Sequence, residues 1–585
     1  MRYPTLVALG IAMSIFSSFA GADSANQVLA RLFADERASY WKNDPLEATS
    51  DGIHTYDDRL AHVTPADMAL QLDEDKAFVE RLRAIDRSQL SPSDRISDDL
   101  FAFMVGERVT LARYREWRMP LNSDSGFHVS VLLMGGATSL QTVADYEHYI
   151  ARLNDVPRYF AENIANMREG LKDGFTLPKE ILGGVSKVVA GEQYAKPEDC
   201  PLFGPFVHIP AGVPEAERAR LVAEGRAAIV GSVIPAYAEF QSFFETEYRP
   251  HARDTLGASA LPDGRAYYAD LVRYYTSLPD ATPEAIHALG LSEVARIHGE
   301  MLDVIRETGF NGSFADFLHF LRSDPQFYAK TPDELLKDAA YIAKQIDEKL
   351  PKFFGRLPRM PYGVDPVPAA IAPNYTSGRY NPGPIGGAGQ YWVNTYALNM
   401  RPLYMLTSLT LHESVPGHHL QISLAREMTG GPAFRLNFYP NAFGEGWGLY
   451  AEKLGVEMGM YKTPYDNFGR LAYEMWRACR LVVDTGIHSM GWNRQQAIDY
   501  LTENTSLSEQ EVRTEIDRYI AWPGQALAYK MGELKILELR HRAERELGSR
   551  FDLRAFHDAV LENGGVTLPV LENRIDAWIA KARSQ

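Results

Sequence analysis

The chain has 585 residues, of which 45% are hydrophobic, 23% charged and 11% aromatic. Its formal net charge of −16 argues against nucleic acids and anionic membranes as partners, because both carry negative charge. The composition is typical of a globular protein with a large core, and the length is compatible with one large unit or with several domains.

The N-terminus has the pattern of a secretory signal peptide. Arg2 provides a basic start, residues 6–20 form an apolar run, and small residues around Ala20 and Ala22 fit a cleavage site. The run is shorter than a membrane-spanning helix, no other segment reaches 18 apolar residues, and no cysteine follows the run to carry a lipid. We therefore expect residues 1–22 to be removed during export, which leaves a periplasmic or secreted protein without a membrane anchor.

Most of the chain has the periodicity of amphipathic helices. Residues 24–115, 145–170 and 214–248 carry apolar side chains at helical spacing. Another helix begins at Pro283, where a preceding threonine and a proline in the first turn form a helix start. Gly290 is a potential break inside that helix.

One segment departs from the helical pattern. Residues 354–396 alternate prolines with glycines and contain a short strand at 390–395. The remainder of the chain is helical again, so we predict a mainly α fold with one small mixed or antiparallel sheet. We divide the mature chain into a helical N-terminal region at 23–355 and a catalytic region at 356–585, which together form one unit.

The chain contains two cysteines, Cys200 and Cys479. Two cysteines so far apart in sequence are not a disulfide framework. They can form one bridge in an oxidising compartment or remain as two buried thiols, and the sequence leaves both possibilities open. They cannot form a thiolate metal site by themselves.

The segment from His412 to Gln421 has the residue types of a catalytic zinc site. It places three imidazoles and the carboxylate of Glu413 within eight positions, and a second acidic segment begins at Glu445. Two histidines and a later glutamate are common ligands of catalytic Zn²⁺, and a glutamate beside the first histidine can take a proton from a zinc-bound water. We predict Glu445 as the third ligand and Glu413 as the catalytic base. Glu452 is an alternative ligand, or a hydrogen-bond partner of a ligating histidine.

The spacing of these histidines does not suit a straight helix. Six residues after His412, His418 would point about 240° away, and His419 would lie roughly 10 Å along the helix axis. Pro416 removes a helical hydrogen bond and clashes with the preceding turn, while Gly417 tolerates the resulting dihedral angles. We therefore predict a two-residue bulge that brings either His418 or His419 back to the ion.

These motifs resemble a bacterial family known as domain of unknown function 885, many of whose members are exported. Its H-E-x-x-P-G-H-H-x-Q motif matches residues 412–421, and its E-G-W motif matches 445–447. An Asp-Thr-Gly-x-His segment matches 484–488, and a Pro-Gly-Gln-Ala-x-x-Tyr-Lys segment matches 523–530. The candidate site also resembles that of the gluzincin metallopeptidases, in which a second helix carries the glutamate ligand.

The resemblance implies a large helical metallopeptidase-like fold with a central cleft and a small β-sheet beside the active-site helix. In the similar group of thimet oligopeptidase, carboxypeptidase Taq and angiotensin-converting enzyme, the second ligand follows a glycine, which favours His418. That group also uses tyrosines from C-terminal helices to stabilise the oxyanion, which makes Tyr529 the candidate here, with Tyr519 second. Either tyrosine can instead be an ordinary core residue.

Asp484 and His488 stand at positions i and i+4 of a predicted helix. They can serve the site, with His488 as a catalytic group, or form a structural ion pair. The strand at 390–395 can pair with an extended peptide in the way that an edge strand does.

The sequence therefore predicts an exported zinc-dependent hydrolase, with Zn²⁺ as its cofactor and oligopeptides as its substrates. One alternative is a metal-dependent hydrolase of another amide or ester. A second alternative is a non-catalytic periplasmic protein that binds peptides or metal. A serine hydrolase is not favoured, because the chain has no G-x-S-x-G motif.

Overall fold

The computed structural model describes residues 23–584, apart from 124, 138–139, 370–371, 373–374 and 384–386. The predicted signal peptide at 1–22 lies outside the described residues. Helices dominate the described part of the chain and surround one small sheet, so the predicted mainly α fold is confirmed.

The helices of the first 355 residues are α1 (Ala25–Asn43), α2 (Pro45–Ser50), α3 (Pro65–Arg83), α4 (Pro92–Ala112), α5 (Phe127–Ala137), α6 (Val143–Asp173), α7 (Leu182–Gly191), α8 (Gly204–Val207), α9 (Glu215–Ala228), α10 (Ile234–Phe243), α11 (Arg249–His251), α12 (Gly264–Thr276), α13 (Pro283–Thr308), α14 (Phe314–Ser323) and α15 (Pro332–Phe353). Several begin at a threonine whose hydroxyl accepts a hydrogen bond from the backbone N–H of the third helical residue. Thr64, Thr142 and Thr282 act in this way at the starts of α3, α6 and α13.

The helices of the remaining chain are α16 (Leu406–Glu413), α17 (His418–Arg426), α18 (Phe434–Asn437), α19 (Asn441–Glu457), α20 (Pro464–His488), α21 (Arg494–Asn504), α22 (Glu509–Ala521), α23 (Ala528–Leu547), α24 (Leu553–Leu561) and α25 (Leu568–Ser584). Between α15 and α16 lie the strands β1 (Tyr362–Pro366), β2 (Gly378–Asn381) and β3 (Gly389–Val393). The irregular Pro- and Gly-rich segment of the sequence therefore folds as the sheet and its connections.

The sheet is mixed, with the strand order β1-β3-β2. β3 pairs in parallel with β1 and antiparallel with β2, where Tyr391 stands opposite Tyr380. The expectation that residues 390–395 form an edge strand is therefore wrong, because both sides of β3 are already hydrogen-bonded. The edge strand that lies beside α16, the helix that carries His412, is β2.

The continuous helical segment Glu215–His251 is, in the described part of the chain, the one helix long and apolar enough to span a membrane by length and composition. Two π-helical turns, Ile229–Val233 and Phe244–Tyr248, join α9, α10 and α11 into this segment. Its apolar face packs into the core through residues such as Phe240. Burial of that face accounts for its hydrophobicity within the folded protein.

The core does not divide at the predicted boundary near residue 355. Phe33 of α1 and Phe101 of α4 pack against Phe434, with ring centroids 5.2 and 5.7 Å from that ring.

Cys200 and Cys479 are both buried as free thiols, so the structure has no bridge between them.

Two long helix pairs pack closely because glycines lie where their backbones meet. Gly290 lies in the interior of an unbroken α13, where a Cβ atom would come 2.8 Å from both Leu481 and Val482 of α20. Gly446 of α19 and Gly532 of α23 face each other in the same way. Gly290 therefore does not break its helix, and its small size lets α20 approach.

The contact between α19 and α23 gives a direct test of this packing. A Cβ atom on Gly532 would overlap the carbonyl oxygen of Ala442, so we expect Gly532→Ala to lower the free energy of unfolding by about 2 kcal/mol or more. Gly106→Ala in α4 is the matched control, because no atom lies within 4 Å of its added methyl group. It should raise stability by up to about 1 kcal/mol, as expected for alanine in a helix. Equal effects of both changes in denaturant unfolding would contradict the packing argument.

Candidate metal centre

The histidine-bearing segment leaves the helical conformation between its two helices. α16 ends at Glu413, α17 begins at His418, and Ser414 has a ψ of −121°, far from the helical value. The chain therefore forms two separate helices joined by four residues, rather than one helix with the predicted two-residue bulge. Pro416 interrupts the hydrogen-bonding pattern, as the sequence predicts.

The turn is held in place by contacts that admit little change. A Cβ atom on Gly417 would overlap the carbonyl oxygens of Leu411 and His412. The indole Nε1 of Trp447 on α19 donates a hydrogen bond of 2.8 Å to the carbonyl oxygen of Pro416. The turn is thus fixed both by its own glycine and by the neighbouring helix.

His412, His418 and Glu445 converge at this turn. The Nε2 atoms of both histidines lie 3.6 Å from Oε2 of Glu445, and the two imidazole rings are nearly perpendicular with centroids 4.6 Å apart. One potential ligand atom from each residue lies within 4.8 Å of the other two. Gly448 lies under the His412 ring, where a Cβ atom would come within 2.9 Å of three ring atoms. The structure thus brings the three predicted ligands together.

Glu452 approaches His412 from the other side of the imidazole. Its Oε1 lies 2.8 Å from Nδ1 of His412 and 3.3 Å from a guanidinium nitrogen of Arg477. A carboxylate in this position orients the ring and leaves Nε2 free to face Glu445. Glu452 therefore occupies the position of a hydrogen-bond partner to His412, rather than that of a ligand.

Glu413 is held against the edge of the sheet. Its Oε2 accepts a hydrogen bond of 2.8 Å from the backbone N–H of Tyr380 in β2. Only 9% of Glu413 is exposed. The sheet therefore fixes the carboxylate of Glu413, the predicted base. In the sequence, Glu413 directly follows His412, the first histidine of the cluster.

His419 turns away from the cluster. Its Nδ1 lies 3.0 Å from the hydroxyl of Tyr380, and its Nε2 lies 3.1 Å from the carbonyl oxygen of Met360. Burial lowers the pKa of His419 to about 4. Its ring is therefore neutral near pH 7 and engaged with the sheet region, so the structure places His418 rather than His419 beside His412.

The buried carboxylates and imidazoles of the cluster shift one another's pKa values. Burial disfavours the imidazolium form of His412, but hydrogen bonds to Glu445 and Glu452, with the charge of Glu413, raise its pKa to about 10. Burial likewise disfavours the carboxylate of Glu445, but His412 and His418 hold its pKa well below the usual value. A proton on His412 is therefore stabilised among these side chains.

Tyr439 is a member of the site that the sequence reasoning missed. Its hydroxyl donates a hydrogen bond of 3.2 Å to Oε1 of Glu445, and its ring lies 6.3 Å from that of His418. Burial, the charge of Glu445 and the nearby Tyr529 raise the pKa of Tyr439 well above its usual value. The signal in the sequence was Gly444, since a Cβ atom there would overlap the Tyr439 ring.

Tyr529 and Tyr519 have different environments. The half-buried Tyr529 ring lies 4.3 Å from the guanidinium carbon of Arg480 and 5.9 Å from that of Arg477, which contacts Glu452. Tyr519 is buried, and its hydroxyl accepts hydrogen bonds of 2.8 Å from both Trp476 and Arg480. Of the two candidates for the oxyanion role, only Tyr529 remains near the site.

His488 and Asp484 are both buried, and each makes its own contacts away from the cluster. Nδ1 of His488 accepts a hydrogen bond from the backbone of Ala258, and its Nε2 lies 2.9 Å from the carbonyl oxygen of Tyr519. Burial lowers the pKa of His488 to about 3. Both ring nitrogens are thus engaged with backbone, so the structure does not bring His488 to the cluster as a catalytic group. It also does not pair His488 with Asp484, whose carboxylate bonds to Tyr268 and Gly524.

Comparison with known proteins places the chain in a family. Residues 45–575 match the model of the family described as "Bacterial protein of unknown function (DUF885)". The chain belongs to the DUF885 family. No curated protein matches it.

Two crystal structures resemble this DUF885 protein along most of its length. One is described as a predicted lipoprotein from Colwellia psychrerythraea; it has 30% sequence identity and a TM-score of 0.88, and the match covers 96% of this chain and 100% of that one. The other is described as a predicted lipoprotein of unknown function from Shewanella oneidensis, with 19% identity and a TM-score of 0.73, covering 94% and 99%. The second similarity shows the fold alone.

The buried carboxyl of Asp484 predicts a pH dependence of stability. Burial raises its pKa to about 7, above the value of about 4 for an exposed aspartate. The unfolded chain loses this proton at a lower pH than the folded protein does. As the pH rises from about 4 to 7, the free energy of unfolding should therefore fall by on the order of 4 kcal/mol and then level off. Asp484→Asn should reduce this slope in denaturant unfolding. An unchanged pH profile would show that Asp484 ionises normally.

Proposed function

We propose that this DUF885 protein is an exported zinc-dependent hydrolase, and specifically a metallopeptidase that cleaves short peptides. The observation that carries the proposal is the convergence of His412, His418 and Glu445 within 4.8 Å, with Glu413 beside them. Two imidazoles and one carboxylate are a donor set used by catalytic zinc, which keeps a further position open for water or substrate.

The surrounding residues fit a cation. The carboxylates of Glu413, Glu445 and Glu452 are all largely buried, and Arg477 is the cationic side chain that contacts Glu452. Buried carboxylates without equal positive charge are costly. The raised pKa of His412 indicates that a proton is held where a metal ion can replace it. When bound, zinc acts as a Lewis acid that polarises a carbonyl oxygen and lowers the pKa of water.

Glu413 has the position of a general base. The backbone N–H of Tyr380 fixes one carboxylate oxygen, which leaves the other oxygen to accept the proton of an attacking water. The same carboxyl can then return that proton to the leaving nitrogen, so that the amide bond is replaced by a carboxylic acid and an amine. This cycle leaves Glu413 unchanged, as catalysis requires.

We assign two tyrosines to supporting roles in the proposed reaction. Tyr439 donates its hydroxyl hydrogen to Glu445 and so supports the ligand. Tyr529 is half-buried and lies against the positive charge of Arg480. We assign Tyr529 to stabilisation of the oxyanion, because a phenol O–H directed at that charge lowers the energy of the tetrahedral state.

The proposed location follows from the N-terminal sequence and from the related structures. The apolar run at 6–20 is typical of a signal peptide, and both similar structures are described as predicted lipoproteins. The run in this chain is not followed by a cysteine that can carry a lipid. We therefore propose export to the periplasm or the exterior.

Measurements of metal binding test whether His418 or His419 is the ligand. Purified chain should bind about one zinc ion, as measured by metal analysis after dialysis. His418→Ala should weaken zinc binding by at least on the order of 100-fold, because a direct donor is lost. The matched change His419→Ala should have little effect on affinity, because that ring contacts Tyr380 and Met360. Loss of zinc in the His419 variant with retention in the His418 variant would contradict the assignment.

Catalysis depends on Glu413 independently of metal binding. Glu413→Gln should lower kcat for hydrolysis of a mixed library of short peptides by about 10²–10⁴-fold while zinc content stays constant. Glu457→Gln, on the exposed end of α19, is the matched control and should leave kcat unchanged. Mass spectrometry of the products measures both rates.

The same assay distinguishes the alternative functions. Hydrolysis of esters or of non-peptide amides, without peptide cleavage, would show that the protein is another type of hydrolase and not a peptidase. If the zinc-loaded protein binds peptides and releases no product, the protein is a binding protein and not an enzyme.

A further inference from the structure

The assignment of His418 to the metal leaves the adjacent His419 without a role. His419 is 1% exposed, and both of its ring nitrogens bond to the sheet region. A buried imidazole is costly unless its polar atoms are hydrogen-bonded, so its partners indicate which parts of the fold it connects.

The partners of His419 fix its tautomer. The carbonyl oxygen of Met360 can only accept, so Nε2 carries the proton and donates to it at 3.1 Å. Nδ1 is then an acceptor, and the hydroxyl of Tyr380 donates to it at 3.0 Å. The hydroxyl of Ser423, on the next turn of α17, lies 3.3 Å from the same nitrogen. The imidazole therefore connects α17 to the residues before β1 and to β2.

The side chain of Tyr380 crosses the sheet to reach His419. β1 and β2 are the outer strands, and β3 runs between them, so the two outer strands are about 10 Å apart. Gly389 of β3 leaves room for this crossing, since a Cβ atom there would overlap the Tyr380 hydroxyl. The ring of His419 also packs on Tyr362 of β1, with centroids 4.4 Å apart. His419 thus holds both outer strands against α17.

The backbone of the same tyrosine holds the proposed base. The N–H of Tyr380 donates a hydrogen bond of 2.8 Å to Oε2 of Glu413. His419 and Glu413 therefore bind the two ends of one buried residue, the hydroxyl and the backbone amide. β2 has a neighbouring strand on one side, so contacts of this kind determine where its other side lies. A displacement of about 1 Å at a reacting group can lower a rate by about 100-fold.

We propose that His419 is a positioning residue, which holds Tyr380 and through it places the carboxylate of Glu413 to accept a proton from the attacking water. The inference rests on the proposed hydrolase function, although the hydrogen bonds themselves require neither substrate nor zinc. It gives the two adjacent histidines different tasks. His418 is the metal ligand, and His419 orients the base by way of β2.

Variants at both ends of the link test this role. His419→Leu fills a similar volume without an acceptor, and it should lower kcat by about 10- to 100-fold while KM and zinc content stay nearly constant. His419→Asn keeps an acceptor near the position of Nδ1 and should restore part of kcat. Tyr380→Phe should lower kcat to a similar extent. Its combination with His419→Leu should cause little further loss, because both changes remove the same hydrogen bond.

The matched control is His128→Leu in α5. His128 is 2% exposed and bonds to Glu192, so this change also removes a buried, hydrogen-bonded imidazole, but from a contact outside the centre. It should lower the free energy of unfolding and leave kcat within twofold of the wild-type value. An equal loss of kcat in His128→Leu and His419→Leu would show a general effect of destabilisation and contradict the positioning role.

Hydrogen exchange at the Tyr380 amide provides a readout that needs no substrate. Its hydrogen bond to Glu413 protects this amide, so His419→Leu should raise its exchange rate about tenfold or more. The amide of Val367, which bonds to the carbonyl oxygen of Val393, should exchange as before. If the wild-type protein hydrolyses no peptide, the proposed function fails and the exchange rates alone decide the inference. Unchanged exchange at Tyr380, or an unchanged kcat of His419→Leu in an active enzyme, would overturn it.

Discussion

The close packing of α19 against the turn between α16 and α17 constrains the whole candidate metal centre. Gly448 gives room to the His412 ring, and Trp447 next to it holds the carbonyl oxygen of Pro416. The same helix carries Glu445 and Glu452, which contact opposite nitrogens of His412. Since one helix places two carboxylates and the support for the turn, a small displacement of α19 would move all of them together.

The position of α19 depends in turn on buried polar contacts further away. Gly532 of α23 lies against it, and Lys530 two residues earlier is fully buried. The ammonium group of Lys530 bonds to Glu474 at 2.8 Å and to Glu533 at 2.7 Å. The pair with Glu474 ties α23 to α20, because separating these helices would leave an unpaired charge at this depth. The segment at 523–530 thus contributes contacts that hold helices around the centre.

The segment at 484–488 has a similar structural role. Its Asp484 accepts a hydrogen bond from the backbone N–H of Gly524, at the start of the 523–530 segment. His488 bonds to backbone atoms of residues that lie far away in sequence. His488 therefore has a structural role in this buried contact, and residue type alone does not distinguish such a role from catalysis.

The sequence by itself determined the mainly α fold, the break at Pro416–Gly417 and the residue types of the candidate centre, because periodicity, proline geometry and donor chemistry are local properties. It left His418 and His419 open, since adjacent residues differ only in the direction of their side chains after the turn. Tertiary structure decided that direction and placed Glu452 behind His412. It also made β3 a central strand. These outcomes depend on contacts between segments distant in sequence, which no local pattern encodes.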